Sequence, residues 1–214
     1  RFTFFKEIVK NKNIHYGCAW SAPDNWDNYD ASPTLRYERI PLLGRIYTKN
    51  DNRFPGNVKY GDIVKGLPLP NNSCDFVYCS HVLEHLSLND CERALINTHR
   101  MMKKGGVFRL VLPDLEYCIK DYIENPKVSA LEFMKSLDVG LEERPKTIIS
   151  LLYSFLQNSK HYWMWDYVSL HNELKKAGFN NIRRAYFNDS SHKIFQDVEE
   201  YTRWENCLGI EAIK

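Results

Sequence analysis

The chain has 214 residues, of which 43% are hydrophobic and 14% aromatic, enough apolar side chain for one sizeable core. Its 29 Lys and Arg against 27 Asp and Glu give a net charge of +2, which excludes a strongly basic nucleic-acid binder and an acidic disordered tail. No apolar run reaches the length of a membrane span and no leader pattern opens the chain. We therefore predict a soluble, globular, cytoplasmic protein.

Short apolar runs bounded by turn residues predict the strands of a sheet. In chain order they cover residues 13–17, 26–30, 57–60, 75–79, 107–112, 179–187 and 206–213. Apolar residues at helical spacing predict helices over 89–103 and 167–177, and a further helical stretch from Asp114 onward, with Pro126 and Pro145 as breaks. Strands that alternate with helices in this way predict a mainly parallel sheet with helices on both faces, in one domain over residues 1–214.

The cysteines follow no metal-binding or disulfide pattern. Structural zinc sites need four clustered ligands, and disulfide frameworks are typical of smaller secreted chains. We predict free, buried thiols in a reducing compartment, and no metal site is assigned. The six residues concerned are Cys18, Cys74, Cys79, Cys91, Cys118 and Cys207.

Ligands of parallel sheets bind at the carboxyl ends of the strands, so the residues that follow each strand are candidates for a site. Small residues at 17–19 would let a ligand approach the backbone closely. Asp30 could accept two hydrogen bonds from a ribose diol, and Asp62 one from an adenine amino group. Taken alone, each of these positions is equally well explained as a turn or a cap.

One stretch is more specific than the rest. Residues 67–86, which include Ser80-His-Val-Leu-Glu-His85, together with 100–107, resemble the type 11 branch of the class I S-adenosylmethionine-dependent methyltransferases. This is a branch of small enzymes common in polysaccharide and secondary-metabolite pathways. The resemblance covers nearly all of the chain from Asn13, including the segments 162–166, 175–179 and 208–214. It implies a Rossmann-like, seven-stranded, mostly parallel sheet whose last strand is antiparallel.

The resemblance also implies roles for the strand ends toward an S-adenosylmethionine cofactor. The loop Tyr16-Gly17-Cys18-Ala19 would lie under its methionine part, Asp30 and Ala31 at the ribose, Asp62 and Ile63 at the adenine, and Ser80 and His81 at the sulfonium. The family's loop usually reads Gly-x-Gly, whereas this chain has Ala19. Only 13 positions separate Gly17 from Asp30, which reduces the usual helix between the first two strands to a loop. We expect any weakness in cofactor binding to arise at these two departures.

Methyl transfer to oxygen needs an in-line geometry and a general base, a role that suits histidine near neutral pH. His81 is the first candidate, because it follows the fourth strand, and His161 is the second. His85 is the third and is expected one helical turn beyond His81 on the same face. The structural alternatives are that Glu84 and His85 brace the start of a helix and that His161 edges an aromatic cluster.

The segment 114–161 is predicted to form a helical cover over the acceptor. Its aromatic residues suit a sugar ring or a planar acceptor, or else they pack helices or a homodimer interface. Arg109 interrupts an apolar strand and is expected to pair with a carboxylate or to reach the site. Basic pairs at 175–176 and 183–184 are interpreted as a solvated face, so no nucleic-acid partner is expected. The aromatic residues meant are Tyr117, Tyr122, Phe133, Tyr153, Phe155 and those of 161–166.

These observations favour a methyltransferase that uses S-adenosylmethionine to O-methylate a small molecule or a sugar, with polysaccharide biosynthesis as its setting. The alternative is a catalytically inactive scaffold or binding subunit with the same fold, which Ala19 and the short first loop suggest. A nicotinamide-dependent oxidoreductase would need a GxGxxG turn that opens a helix, and the sequence after Tyr16 lacks it.

Overall fold

A computed structural model describes residues 11–42, 44, 52–140 and 160–214. Within these residues it contains seven strands and six α-helices. The strands are β1 (Asn13–Tyr16), β2 (Asp27–Asp30), β3 (Val58–Tyr60), β4 (Cys74–Ser80), β5 (Met102–Pro113), β6 (Asn180–Ala185) and β7 (Cys207–Ile213). The helices are α1 (Pro33–Glu38), α2 (Leu88–Met101), α3 (Leu115–Glu124), α4 (Ala130–Ser136), α5 (Tyr167–Lys176) and α6 (Tyr201–Trp204), and short 3₁₀ turns cover Leu83–His85 and Lys193–Asp197.

The seven strands form one sheet in the order β3-β2-β1-β4-β5-β7-β6. All pairs from β3 to β5 are parallel, and β7 runs antiparallel to both of its neighbours, β5 and β6. The predicted α/β fold with an antiparallel last strand is therefore confirmed. The order reverses at β1, where the chain steps from β3 on one side to β4 on the other, and the strand ends on either side of that point are the usual place for a ligand.

Both faces of the sheet are covered by apolar side chains. On one face Leu95 of α2 and Leu170 of α5 belong to the main core with the sheet residues Val77 and Phe108. On the other face a second cluster contains Trp26, Tyr78, Phe195 and Trp204. The sheet lies between the two clusters, which is why its central strands are apolar along most of their length.

The predicted helix over 89–103 is two residues too long at its C-terminal end. Ser87 caps α2 by accepting a hydrogen bond from the Asp90 amide, and the helix ends at Met101. Met102 already pairs with Cys74 in the sheet, so Gly105 and the residues beside it lie inside β5. Two apolar methionines in sequence fit a helix face and a buried strand equally well, and the pairing across the sheet decides between them.

Arg109 is fully buried and does not reach the cavity described below. Its guanidinium is paired with Glu199, with Asp189 at 2.9 Å and with Glu211 at 3.2 Å. It also lies 4.6 Å from the ring centroid of Trp204. The expected carboxylate pairing is thus confirmed, with three partners, because a buried guanidinium needs compensating charge and hydrogen bonds.

All six cysteines are free thiols, four of them buried and two partly buried. Among the described residues no helix has both the length and the apolar character needed to cross a membrane. The predictions made for Pro145, Tyr153 and Phe155 fall outside the described residues.

Candidate active site

A cavity of about 700 Å³ lies at the carboxyl ends of β1, β2, β3 and β4. Its volume is within the range of small-molecule and cofactor sites. It is lined by ten of the twelve residues predicted for the site, namely Tyr16, Gly17, Ala19, Asp30, Ala31, Asp62, Ile63, Ser80, His81 and His85. The two exceptions are Cys18, whose buried side chain packs with Leu35 and Phe54, and His161, which lies beside His85.

The loop after β1 is shaped by two left-handed residues, Gly17 at φ 66° and Ala19 at φ 47°. A Cβ on Gly17 would overlap the side chain of Val82, so this position requires glycine. Ala19 adopts a conformation that costs a non-glycine residue about 1–2 kcal/mol. Its amide donates a hydrogen bond of 3.0 Å to Asp30, which holds the loop against the end of β2.

Asp30 connects the two loops that border the cavity. Its Oδ2 accepts from the Ala19 amide, and its Oδ1 accepts from the Ser32 amide at 2.7 Å. Burial raises the pKa of the Asp30 carboxyl, and these two hydrogen bonds oppose that shift by favouring the charged form. Each carboxylate oxygen can accept a second hydrogen bond, so the predicted ribose contact fits beside the backbone contacts.

Asp62 caps the turn that follows β3 and also lines the cavity. Its Oδ1 accepts from the Val64 amide at 3.0 Å, and its Oδ2 lies 3.1 Å from the ammonium of Lys65. The two interpretations of this residue, cap and ligand contact, are therefore compatible.

Three further lining residues, none of them predicted for the site, give the cavity an aromatic wall and a cationic side. Trp20 and Phe54 stack with ring centroids 5.3 Å apart and present an aromatic wall to the cavity. Arg203, from α6, reaches the opposite side and donates to the Ser80 hydroxyl at 3.4 Å. Phe54 and Arg203 are far in sequence from the strand ends, and no local pattern marks them.

His81 is held at both ring nitrogens. Its Nε2 lies 3.0 Å from the Arg203 carbonyl oxygen, and its Nδ1 lies 3.2 Å from Oε1 of Glu84. Burial lowers the pKa of His81, but contacts with Cys207, Glu84 and the Arg203 carbonyl outweigh it and raise the pKa to about 10. Both ring nitrogens face acceptor oxygens, an arrangement that favours the charged imidazolium over the form that accepts a proton.

The sequence predicted His85 one helical turn beyond His81, and the structure does not have this helical relation. Residues 83–85 form a 3₁₀ turn, and α2 begins only at Leu88, so the helical i, i+4 relation is absent. The ring of His85 lies instead against that of His161, with centroids 4.9 Å apart. Its Nδ1 is 3.0 Å from the Lys160 carbonyl oxygen.

Glu84, His85 and His161 form a cluster whose ligand-type atoms all lie within 4.8 Å of one another. The sequence analysis assigned no metal site, for lack of a recognised metal-binding motif. The HxxxH spacing of His81 and His85, with Glu84 between them, was the available signal. We refer to the three residues as the Glu84 cluster.

Two helices lie in the segment 114–161, and its role as a cover over the acceptor stays a prediction. Helices α3 and α4 begin at well-formed caps, Asp114 and Ser129, and neither helix buries a side chain among the described residues. Tyr122 and Phe133 stack on each other at 4.5 Å, and Ile123 and Leu131 are largely exposed. The remainder of this segment, 141–159, is outside the described residues.

The sheet order, the antiparallel last strand and the cavity beside the switch point define the class I methyltransferase fold. The sequence model of a family described as "Methyltransferase domain" matches residues 15–184, and the chain belongs to that family. Membership supports S-adenosylmethionine as the cofactor, as the sequence predicted.

Individual relatives are distant. The Aspergillus luteorubrus protein named "Probable methyltransferase ltbC" is 36% identical over 56 residues, which are 25% of this chain and 20% of that protein's length. A chain of the complex between the Haloferax volcanii Trm112 methyltransferase activator and a methyltransferase superposes with TM-score 0.52 at 15% identity, covering 95% of this chain and 82% of its own. PigF, solved with SAH, gives TM-score 0.52 at 16% identity, covering 95% of this chain and 50% of its own. At these identities the structures support the fold alone.

Proposed function

We propose that the protein is an S-adenosylmethionine-dependent methyltransferase that methylates an oxygen of a small molecule or a sugar. The observation that carries the proposal is the cavity at the ends of β1 to β4. In it, Asp30 at the end of β2 is hydrogen-bonded to the loop of residues 16–19 and to Ser32. A cytoplasmic polysaccharide or secondary-metabolite pathway is the setting that we propose for it.

The residues of this chain fit the cofactor in three places. The left-handed loop at Gly17 and Ala19 leaves room for the methionine part, because no side chain beyond a methyl group projects there. Asp30 keeps free lone pairs for the ribose hydroxyls, and Asp62 and Ile63 lie where the adenine is expected. When bound, the cofactor supplies a methyl group on a positive sulfonium, already activated for transfer.

The acceptor end of the cavity is proposed at the Glu84 cluster and not at His81. The Nδ1 atoms of His85 and His161 are hydrogen-bonded to backbone carbonyl oxygens, at 3.0 and 2.8 Å. This leaves their Nε2 atoms available to contact an acceptor. His81 has no such atom. We therefore retain His85 and His161 as the groups that act on the acceptor hydroxyl, and we propose that His81 is a charged positioning residue near the sulfonium.

Thermal unfolding with and without ligand tests the proposal. S-adenosylmethionine or S-adenosylhomocysteine at about 100 times its Kd adds about 2.7 kcal/mol. For a chain of this size that is a rise in Tm of about 5–10 °C. NADH is the control and should leave Tm unchanged. If neither sulfur compound raises Tm, the inactive scaffold suggested by Ala19 replaces the enzyme.

A further inference from the structure

We propose that the Glu84 cluster binds a divalent transition-metal ion of the zinc type at the edge of the cavity. The three residues offer two imidazole nitrogens and a carboxylate, all within 4.8 Å of one another. Two histidines and one glutamate are a ligand set of catalytic zinc sites, in which a fourth position stays open. Tetrahedral bonds of about 2.1 Å place ligand atoms about 3.4 Å apart, so the side chains need to close by about 1 Å or so.

The two histidines are oriented as metal ligands usually are. The Nδ1 of His85 lies 3.0 Å from the Lys160 carbonyl oxygen, and the Nδ1 of His161 lies 2.8 Å from the Leu137 carbonyl oxygen. A carbonyl oxygen can only accept, so each Nδ1 carries a proton, and in the neutral ring the lone pair is on Nε2. Ligating histidines typically donate their other N–H to such a backbone group, which fixes the ring and its tautomer.

Glu84 gives the second, independent observation. It is 0% exposed, and neither of its carboxylate oxygens has a hydrogen-bond partner. Its nearest charged neighbour is His81, whose Nδ1 lies 3.2 Å from Oε1 without the alignment of a hydrogen bond. His81 therefore gives Oε1 a charge contact, whereas Oε2 has no partner among the described residues. A buried carboxylate oxygen in this state is costly, and a bound cation would supply the missing partner.

The cluster is also fixed in place by its backbone. The amides of Tyr162 and Trp163 donate to the Glu84 carbonyl oxygen, at 2.8 and 3.2 Å. The His161 amide donates to the Asp138 carbonyl oxygen at 3.1 Å. The segment that carries His161 is thus hydrogen-bonded directly to the turn that carries the other two residues, and little backbone reorganisation is needed for an ion to bind.

The open position of the ion would face the cavity, since His85 lines it. An acceptor hydroxyl bound there would lose its proton more readily, because a metal ion lowers the pKa of an oxygen ligand. This consequence rests on the proposed function, whereas the metal site itself does not. His85 and His161 would then act as ligands and not as direct proton acceptors.

The test is metal binding by the whole chain after treatment with a chelator. Titration calorimetry with Zn²⁺ should give one site, and Co²⁺ should give the visible absorption bands of a four- or five-coordinate ion. His161→Ala and the shape-preserving Glu84→Gln should each weaken Zn²⁺ binding by 100-fold or more. His171→Ala is the control, since His171 lies on α5 against Tyr167 and should leave binding unchanged.

Three results would overturn the site. The first is the absence of Zn²⁺ binding in the wild-type chain, and the second is wild-type Zn²⁺ affinity in both cluster variants. The third is a Co²⁺–thiolate charge-transfer band, which would place the ion on cysteines. Circular dichroism of each variant establishes that it is folded. The Tm rise with S-adenosylhomocysteine is measured in parallel: metal binding without that rise refutes the methyltransferase and keeps the site, and the reverse result refutes the site alone.

Discussion

The two ends of the cavity are built in different ways. At the proposed cofactor end, backbone amides donate to both acids. Asp62 is held by the turn after its own strand, whereas Asp30 accepts from Ser32 in its own turn and from Ala19 in the loop after β1. At the acceptor end, Glu84 is buried without a hydrogen-bond partner and meets His161, which is 77 residues further along the chain. The acids of the first end are thus fixed by hydrogen bonds within the protein and keep further lone pairs for a ligand. The carboxylate of the second end has no such hydrogen bond.

This contrast separates the end of the cavity that adds rigidity to the fold from the end that carries a destabilising, unsatisfied carboxylate. A polar group satisfied by its own turn adds rigidity and leaves the site ready-made for one cofactor. A buried, unsatisfied carboxylate costs free energy and is retained at sites where binding or catalysis uses it. The predictions below test the cofactor end first, since its parts can be changed one at a time.

The largest expected effect is at Gly17. Gly17→Ala combines a left-handed φ of 66° with overlap of Val82, so we expect the free energy of unfolding to fall by about 3 kcal/mol. Gly105→Ala is the matched control, because its φ is 78° but no heavy atom lies within 4 Å of the added Cβ. It should cost about 1–2 kcal/mol, from the backbone alone.

Urea unfolding of both variants separates the two contributions. Adding Val82→Ala to Gly17→Ala should recover the part due to overlap and leave the part due to φ. Equal losses for Gly17→Ala and Gly105→Ala would show that the loop does not pack against Val82 as described.

Next in size is the ribose contact proposed for Asp30. Asp30→Ala should weaken S-adenosylhomocysteine binding by about 1.5–3 kcal/mol, the usual value of a hydrogen bond to a charged group. Calorimetric titration measures the affinity directly. Asp62→Ala serves as comparison and should have a smaller effect, because one adenine hydrogen bond is proposed for Asp62 and two ribose hydrogen bonds for Asp30. An affinity unchanged in Asp30→Ala would remove that residue from the site.

A third prediction concerns a buried ionisable group beneath the cofactor end, His15 of β1. Burial, and then the charge of Arg203, lower its pKa from 6.5 to about 3, so the ring is neutral in the folded chain and gains a proton on unfolding at acidic pH. The unfolded state then binds more protons, and stability falls as the pH falls below 6.5. At pH 5 the loss is about 2 kcal/mol relative to pH 7.5.

Urea titrations of the wild-type chain and of His15→Leu at several pH values provide the measurement. Between pH 7.5 and pH 5, the free energy of unfolding of the variant should fall by about 2 kcal/mol less than that of the wild-type chain. This difference should hold whatever the stability of the variant at neutral pH. His15 packs between Trp26 and Tyr78, so a change in absolute stability is expected as well. Parallel pH profiles for the two proteins would mean that His15 is charged in the folded state.

How many of these features the sequence could predict depends on how far apart the interacting residues lie along the chain. The strands were predicted because they are short runs bounded by turn residues, and the strand-end rule then located Asp30 and Asp62. Helix α1 was not predicted, because a segment of six residues starting at Pro33 is too short to show helical periodicity. The Glu84 cluster and the Trp20–Phe54 stack depend on contacts between remote segments, which local spacing does not encode.

The smallest expected effect is at Ala19, and it bears directly on whether the cofactor end is complete. Ala19→Gly removes the left-handed strain but adds freedom to the unfolded chain, so stability should change by less than about 1 kcal/mol. Its amide still donates to Asp30, which keeps the loop closed. If the methyl group crowds the cofactor, the glycine variant should bind S-adenosylhomocysteine several-fold more tightly. Equal affinities would show that a loop with one glycine suffices, because the Asp30 hydrogen bond fixes its conformation.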